Sequence, residues 1–433
     1  MRMRNLRGTA GLAAAALALA GCATSTTQPS PAPQPVLARG VAAREPLADP
    51  RPYGSADTAF GLDLLGTWCR ADPQANLVLS PSSLASGLGM AYLGARGATA
   101  QAMAAVLHLP AAGGQALGAG GQALEAGLQA RSAALRGLAG PGVTLRTSDQ
   151  VWADPSLTTR PSYLNAVATG YGAGVAQVPL LSNPDQAARE ISQAIAAATG
   201  GQIPRLLPPG SLTDIGWVLT DALYLHAAWA APFQASQTSP APFTTAAGQQ
   251  VSVPFMNGGQ FRAVSAAGWT GVWLPYRGGR LGLLALLPPA GAGGCTMPSA
   301  AGLGTMTARL TAPAGAADLT RAVALPRVKL ADTVSMKGLL SALGMGLAFT
   351  QAADFTGLSP QACCIGLVQH AATLQVGEQG TVASAATAVG MAPTAAMVPP
   401  PTVTFDRPFL MLVVAAGTGE PLLAAQVTNP AQP

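Results

Sequence analysis

The sequence predicts an α+β protein, with helices gathered in the first half of one long folded region and short strands forming large mixed or antiparallel sheets in the second. Three observations carry this expectation. The chain has 433 residues, enough for one large or two average domains. Hydrophobic residues make up 49% and charged residues 9%, against roughly a quarter charged in ordinary globular chains, which excludes charge-rich disorder. After residue 200 the texture changes. Apolar residues at helical spacing give way to short apolar runs bounded by Gly or Pro, as expected where a run of helices is followed by a run of strands.

The N-terminus reads as an address. Arg2, Arg4 and Arg7 precede a stretch, residues 8–21, that is almost all Ala, Leu and Gly, a charged segment and an apolar core too short to span a bilayer. The formal charge of +5 falls by three if that segment is removed. It ends in Leu19-Ala20-Gly21-Cys22, which is similar to the lipobox of bacterial lipoproteins. That resemblance implies cleavage after residue 21, acylation of Cys22, secretion across the cytoplasmic membrane and lipid anchoring at the cell envelope, facing outward or into the periplasm. The alternative is an ordinary secretory signal with a chance cysteine. Two or three acyl chains anchor stably where one holds marginally. Residues 22–50, rich in Pro, Ser, Thr and Gln, read as a flexible tether, and 51–433 as the folded domain. No later run of 18 or more apolar residues occurs.

Within the folded part, residues 57–69 and 81–93 place apolar side chains at helical spacing, with Pro81 at a permitted first-turn position. Residues 99–107 read as a helix capped by Thr99, and 185–198 as a helix ended by Gly200-Gly201. Segments 217–225, 250–256, 271–276, 282–287, 322–330, 366–376 and 403–415 read as strands.

Several chemistries are excluded. Lys329 and Lys337 are the two lysines, and no basic run occurs, so nucleic acid is not an expected partner. HExxH, CxxC and G-x-S-x-G patterns are absent, and no Ser stands three residues before either Lys, which removes the common hydrolase signatures. No catalytic residue, metal site or cofactor is expected. Outside the cytosol Cys69, Cys295, Cys363 and Cys364 could form disulfides. Their pairing is open, although a bond between neighbours 363 and 364 would be strained.

From Asn76 the chain carries a recognisable series. NLVLSPSSLASGLGMAYLGARGATAQAMAAVLHL contains Asn76, Ser80, Pro81, Ser83, Gly94, Thr99 and Leu107. Tyr224, Trp229, Pro232, Phe233, Thr238 and Phe243 follow, then Val253-Pro254, Met256, Pro275-Tyr276 and Gly278. Leu325-Pro326-Arg327, Lys329, Leu343-Gly344, Ala353-Asp354-Phe355, Gly357, His370, Glu378, Gly380-Thr381, Arg407-Pro408-Phe409 and Asn429-Pro430 complete it. In this order, over about 380 residues, the series resembles the serpin family. The resemblance implies a serpin fold, a monomer, and a shutter of Asn76, Ser80, Pro81, Ser83 and His370. The chain departs from the family at Ser192, Ala194, Asp221, His226, Ala227 and Ala371, so His370 is expected to find Ser192, Ser80 or Ser83 as partner.

Residues 378–401 correspond to the family's reactive-centre loop. Residues 378–397 read EQGTVASAATAVGMAPTAAM, with Glu378 as their one charge. A strand inserted between two others needs alternate side chains that suit a buried face. Thr381, Ala383, Ala385 and Thr387 form such a set, and with Glu378, Gly380 and Ala386 they make the expected hinge. Pro and charge are absent from 381–392, which an arbitrary Ala/Gly linker has no reason to maintain. The resemblance implies a single-use inhibitor of serine, or cysteine, proteases. Its loop is cleaved, held as an acyl-enzyme and drawn into the main sheet. Counting from Glu378 puts the reactive bond at Thr394–Ala395; counting back from Phe405 puts it at Met397–Val398. These small and medium residues suit an elastase-like or subtilisin-like protease. The alternative is a non-inhibitory serpin, a protease substrate or carrier.

Overall fold

The computed structural model describes residues 35–44, 48–110, 121–148, 150–208, 210–213, 215–313, 320–381 and 401–432. Proline starts several of its helices. Proline stands in the first turn of α1 (Arg51–Ala71), α2 (Pro81–Gly94), α5 (Pro161–Tyr171) and α6 (Pro184–Ala198), where a missing N–H costs nothing and a fixed φ is already helical. Ser80 caps α2 by accepting from the Ser83 N–H, and Asn183 caps α6 by accepting from the Gln186 N–H. Between them lie α3 (Gly97–Val106) and α4 (Gly121–Arg136), and α7 (Ala300–Thr311) comes later.

The strands form two sheets. The first holds β1 (Val36–Ala38), β3 (Val143–Thr147), β4 (Gln150–Ala153), β5 (Val175–Gln177), β6 (Trp217–Ala228), β12 (Val328–Ser335), β13 (Val368–Gly377) and β14 (Gly380–Thr381), in the order β1-β5-β4-β6-β14-β13-β12, with β3 beside β6. The second holds β2 (Leu77–Leu79), β7 (Ser239–Thr244), β8 (Gln250–Ala266), β9 (Trp269–Pro275), β10 (Leu281–Leu287), β11 (Thr320–Pro326), β15 (Thr402–Thr404), β16 (Phe409–Ala415) and β17 (Pro421–Val427), in the order β15-β11-β8-β9-β10-β16-β17-β2, with β7 on β8.

Three apolar layers follow from the two-residue period of the strands. Leu223, Leu225, Leu374 and Val376 of the first sheet pack with Leu274, Leu283 and Met411 of the second. Val218, Ala222 and Ala371 point the other way and join Ile191 and Ile195 of α6. Phe60, Leu88, Tyr92 and Tyr163 build a third cluster among the helices.

The structure corrects several expectations. The compact unit begins at Pro35, inside the segment read as tether. Val36–Ala38 pairs with β5, and the Val41 and Ala43 N–H groups donate to Asn165 and Thr169 on α5. Helix α3 starts before Thr99, with Arg96 at its N-cap; the Thr99 hydroxyl instead accepts from the Asp354 N–H at 2.9 Å. Segments 322–330 and 403–415 are each two strands. Cys69 is bonded to Cys295, while Cys363 and Cys364 are free thiols.

Candidate functional site

The centre of the first sheet contains a short strand, β14, of which Gly380 and Thr381 are described. At one end β6 and β13 pair directly and in parallel, Leu219–Ala222 against Val368–Ala371. At the other end β14 lies between them: Thr381 is opposite Ala227 and Val376, and Gly380 opposite Ala228 and Gly377. Over Leu223–His226 and Ala372–Gln375 no described strand pairs with the facing edges. Thr381 shares its side of the sheet with Ala227 and Val376, both in the layer between the sheets, and is fully buried.

Glycine makes this seat possible. Gly380 has a φ of +148°, and a β-carbon there would stand 2.0 Å from the Ala227 carbonyl oxygen, closer than any real side-chain carbon approaches. The turn joining β13 to β14 is tied down by the Trp229 N–H to the Gln379 carbonyl and the Phe233 N–H to the Glu378 carbonyl, both at 2.9 Å. The Trp229 indole donates to the Gly377 carbonyl at 2.8 Å, and its ring stacks on Tyr276, centroids 4.5 Å apart. The Tyr276 hydroxyl in turn hydrogen-bonds the Thr381 hydroxyl.

The Glu378 carboxylate accepts from the Thr238 hydroxyl at 2.7 Å and from the Arg327 guanidinium, whose Nε is 2.8 Å away. Partial burial alone would raise its pKa, but the Arg327 and Thr238 hydrogen bonds outweigh it and hold the carboxyl below its ordinary range.

At the closed end of the seam, the Nε2 of buried His370 accepts from the Ser80 N–H at 3.0 Å. Ser80, Pro81 and Ser83 form the first turn of α2, and the Val78 N–H beside them donates to Asp332 at 2.8 Å. Burial raises the Asp332 pKa, against the pull of that N–H and of His370. Asn76 is placed elsewhere. It donates to the Asn429 and Gln432 carbonyls and accepts from the Thr428 and Asn429 N–H groups, clamping the C-terminal segment. The Ser192 hydroxyl accepts from the Leu207 N–H.

Glu378, Gly380 and Thr381 therefore meet at one end of the seam, and Ser80, Pro81, Ser83 and His370 at the other. Arg327, Trp229, Thr238 and Tyr276 belong to the site although reading the sequence assigned them no role. Each stands in one of the ordered motifs, but nothing local in the sequence ties them to Glu378 or Thr381. Ala383, Ala385, Ala386, Thr387, Thr394, Ala395, Met397, Val398 and Cys22 lie outside the described residues. Among the described residues no cluster of three or more metal-ligating side chains occurs, and no helix is long and apolar enough to cross a membrane.

A two-sheet α+β fold in which Gly380–Thr381 forms a short strand between β6 and β13 frames the candidate site. The family profile described as Serpin (serine protease inhibitor) matches residues 55–430, and the chain belongs to the serpin family. A leukocyte elastase inhibitor of Bos taurus is 29% identical over 395 residues, covering 87% of this chain and 99% of its own. An uncharacterised serpin-like protein of Thermococcus kodakarensis is 30% identical over 385 residues, covering 88% and 86%. Among solved structures, the thermophilic serpin tengpin in its native state superposes with a TM-score of 0.75 at 23% identity, over 92% of this chain and all of that one.

Proposed function

We propose that this serpin is a single-use protease inhibitor rather than an enzyme, and that its loop enters the first sheet at the seam described above. The observation that carries the reading is the seated pair Gly380–Thr381, beyond which the facing edges of β6 and β13 have no partner among the described residues. Continuing that register sets Val382, Ala383, Ser384 and Ala385 against His226, Leu225, Tyr224 and Leu223 on one side. On the other side they meet Gln375, Leu374, Thr373 and Ala372. Ala383 and Ala385 then share the inward face with Thr381, where small side chains fit between leucines. These four residues add without breaking a β6–β13 pair. Ala386 is the first to meet a closed pair, Ala222 with Ala371, and Thr387 reaches His370. The Ser80–His370 bond is the latch that insertion must release.

A target protease attacks the loop and forms an acyl-enzyme. The severed loop then zips into the seam, and the attached protease is carried away and distorted before water deacylates it. The hinge count favours Thr394–Ala395 over Met397–Val398, because insertion length decides where the protease ends. The lack of Arg or Lys there, and the likeness to a bovine leukocyte elastase inhibitor, favour an elastase-like or subtilisin-like target. Cys22 is the proposed lipidation site that holds the inhibitor at the cell envelope. Cys22→Ser should release the protein from membranes or stall its processing.

The test is to mix the protein with elastase-like, subtilisin-like and trypsin-like proteases. A covalent complex on a denaturing gel, with the new terminus at Ala395, is the expected result. Cleavage with no complex would overturn inhibition and leave a non-inhibitory serpin.

A further inference from the structure

Two of the described cysteines are bonded to each other, and the other two are adjacent and free. The Cys363 and Cys364 sulfurs stand 2.7 Å apart, with Cys363 exposed and Cys364 half-buried. We propose that Cys363–Cys364 is a thiol–disulfide exchange site that reacts with small-molecule disulfides and closes reversibly to a bond between the two neighbours.

The pair is held in place from both sides. On one flank the Gln361 side chain accepts from the Thr158 N–H at 2.8 Å, and the Gln361 N–H donates to the Ser359 hydroxyl at 3.1 Å. On the other the Ile365 N–H donates to the Ala348 carbonyl at 2.9 Å. Little conformational freedom is left to lose when the sulfurs join. Neighbouring α-carbons lie about 3.8 Å apart across a trans peptide, short of the roughly 4.4–6.8 Å that disulfides favour. The closed ring is therefore strained and readily reduced, unlike the Cys69–Cys295 bond, whose α-carbons are 5.6 Å apart. Strain of this kind belongs to labile, exchangeable disulfides rather than to structural ones.

The two thiols differ in a way that assigns the steps. Burial, and then the Cys363 thiol beside it, push the Cys364 pKa up to about 11, so Cys364 stays protonated while exposed Cys363 supplies the first thiolate. That thiolate attacks one sulfur of the oxidant, R–S–S–R, forming a mixed disulfide and expelling R–S⁻. Cys364 then attacks the Cys363 sulfur, expels the second R–S⁻ and gives up its proton. Two cysteine thiols are oxidised, one disulfide is reduced to two thiols, and the two protons pass to the departing thiolates.

The test uses the full chain with excess oxidised glutathione, then iodoacetamide, digestion and mass spectrometry. The fragment carrying both residues should be lighter by two hydrogens and take up no alkyl group. Mild reduction should restore two alkylations while Cys69–Cys295 stays intact. Cys364→Ser should stop at a stable glutathione adduct on Cys363. Cys363→Ser should react more slowly, since burial keeps Cys364 protonated and away from the oxidant. Two glutathione adducts on the wild-type fragment, a dimer linked through Cys363, or two alkylations as though no oxidant were present would each overturn the proposal. The wild-type measurement decides even if a serine variant misfolds.

Discussion

Gly380 packs its α-carbon against the carbonyl of Ala227 so closely that a β-carbon would stand 2.0 Å from that oxygen, and it does so at a φ of +148°. Gly380→Ala should therefore lift β14 out of the seam. The backbone strain alone is on the order of 1–3 kcal/mol. Expected outcomes are a lower denaturation midpoint for the intact protein and a reduced yield of covalent complex. A variant with both unchanged would show that the seating of β14 is dispensable.

Thr381 is already buried in the native sheet, with its hydroxyl bonded to Tyr276. Thr381→Arg would force an unpaired charge into that position at a cost of several kcal/mol. Each 1.4 kcal/mol on the insertion barrier slows entry about tenfold, and deacylation would win. The variant should be cut at the wild-type bond at a similar rate but trap little protease. Thr381→Val, which loses about 1 kcal/mol of hydrogen bonding and no shape, should still form complex. Gel densitometry of cleaved and complexed protein separates the two outcomes.

The edges of Leu223–His226 and Ala372–Gln375 that face each other have no described strand between them, so a cleaved loop has backbone bonds to gain there. The cleaved wild type should melt far above the intact form. Calorimetry before and after cleavage checks this; equal melting temperatures would argue against insertion.

Thr394→Arg tests the reactive bond. If the protease engages Thr394–Ala395, an arginine there reaches the acidic pocket of trypsin-like enzymes, and inhibition should shift to them. A new terminus at Val398 in the trapped complex would assign the bond to Met397 instead.

A buried charge cluster sets a pH dependence. The Arg131 guanidinium donates to Asp57 at 2.7 Å through Nε, lies 2.8 Å from Glu420 and bonds the Ser86 hydroxyl at 2.8 Å. Burial raises the Asp57 pKa well above its ordinary 3.8; Arg131 opposes the rise and Glu420 adds to it. The folded state therefore holds a proton that the unfolded state releases. The associated stability is present below the unfolded value and lost as pH rises through the folded one, by at most about 1.4 kcal/mol per pH unit. Asp57→Asn, which cannot titrate, should flatten the fall of the denaturation midpoint with rising pH. An identical slope in both proteins would show that Asp57 is not the titrating group.

Helices with clear periodicity and a proline-led start are legible without the fold. The segments 57–69, 81–93 and 185–198 fall inside α1, α2 and α6. Helices α4, α5 and α7 pass unread because alanine and glycine serve either face and blur the apolar stripe. The ordered series of motifs from Asn76 to Pro430 carries the family.

Contacts between distant segments carried the rest. Residues 322–330 look like one apolar run, yet β11 joins the second sheet and β12 the first on either side of Arg327, whose side chain turns to Glu378, 51 residues away. Val36–Ala38 carries no strand signal of its own among the prolines, and pairing with β5 makes it one. Cys69 finds Cys295 across 226 residues. Periodicity, caps and side-chain size act between neighbours in the chain and are written in it. Register, the choice between two sheets and the partner of a buried polar group depend on which surfaces the packed core brings within about 3 Å, and packing alone decides that.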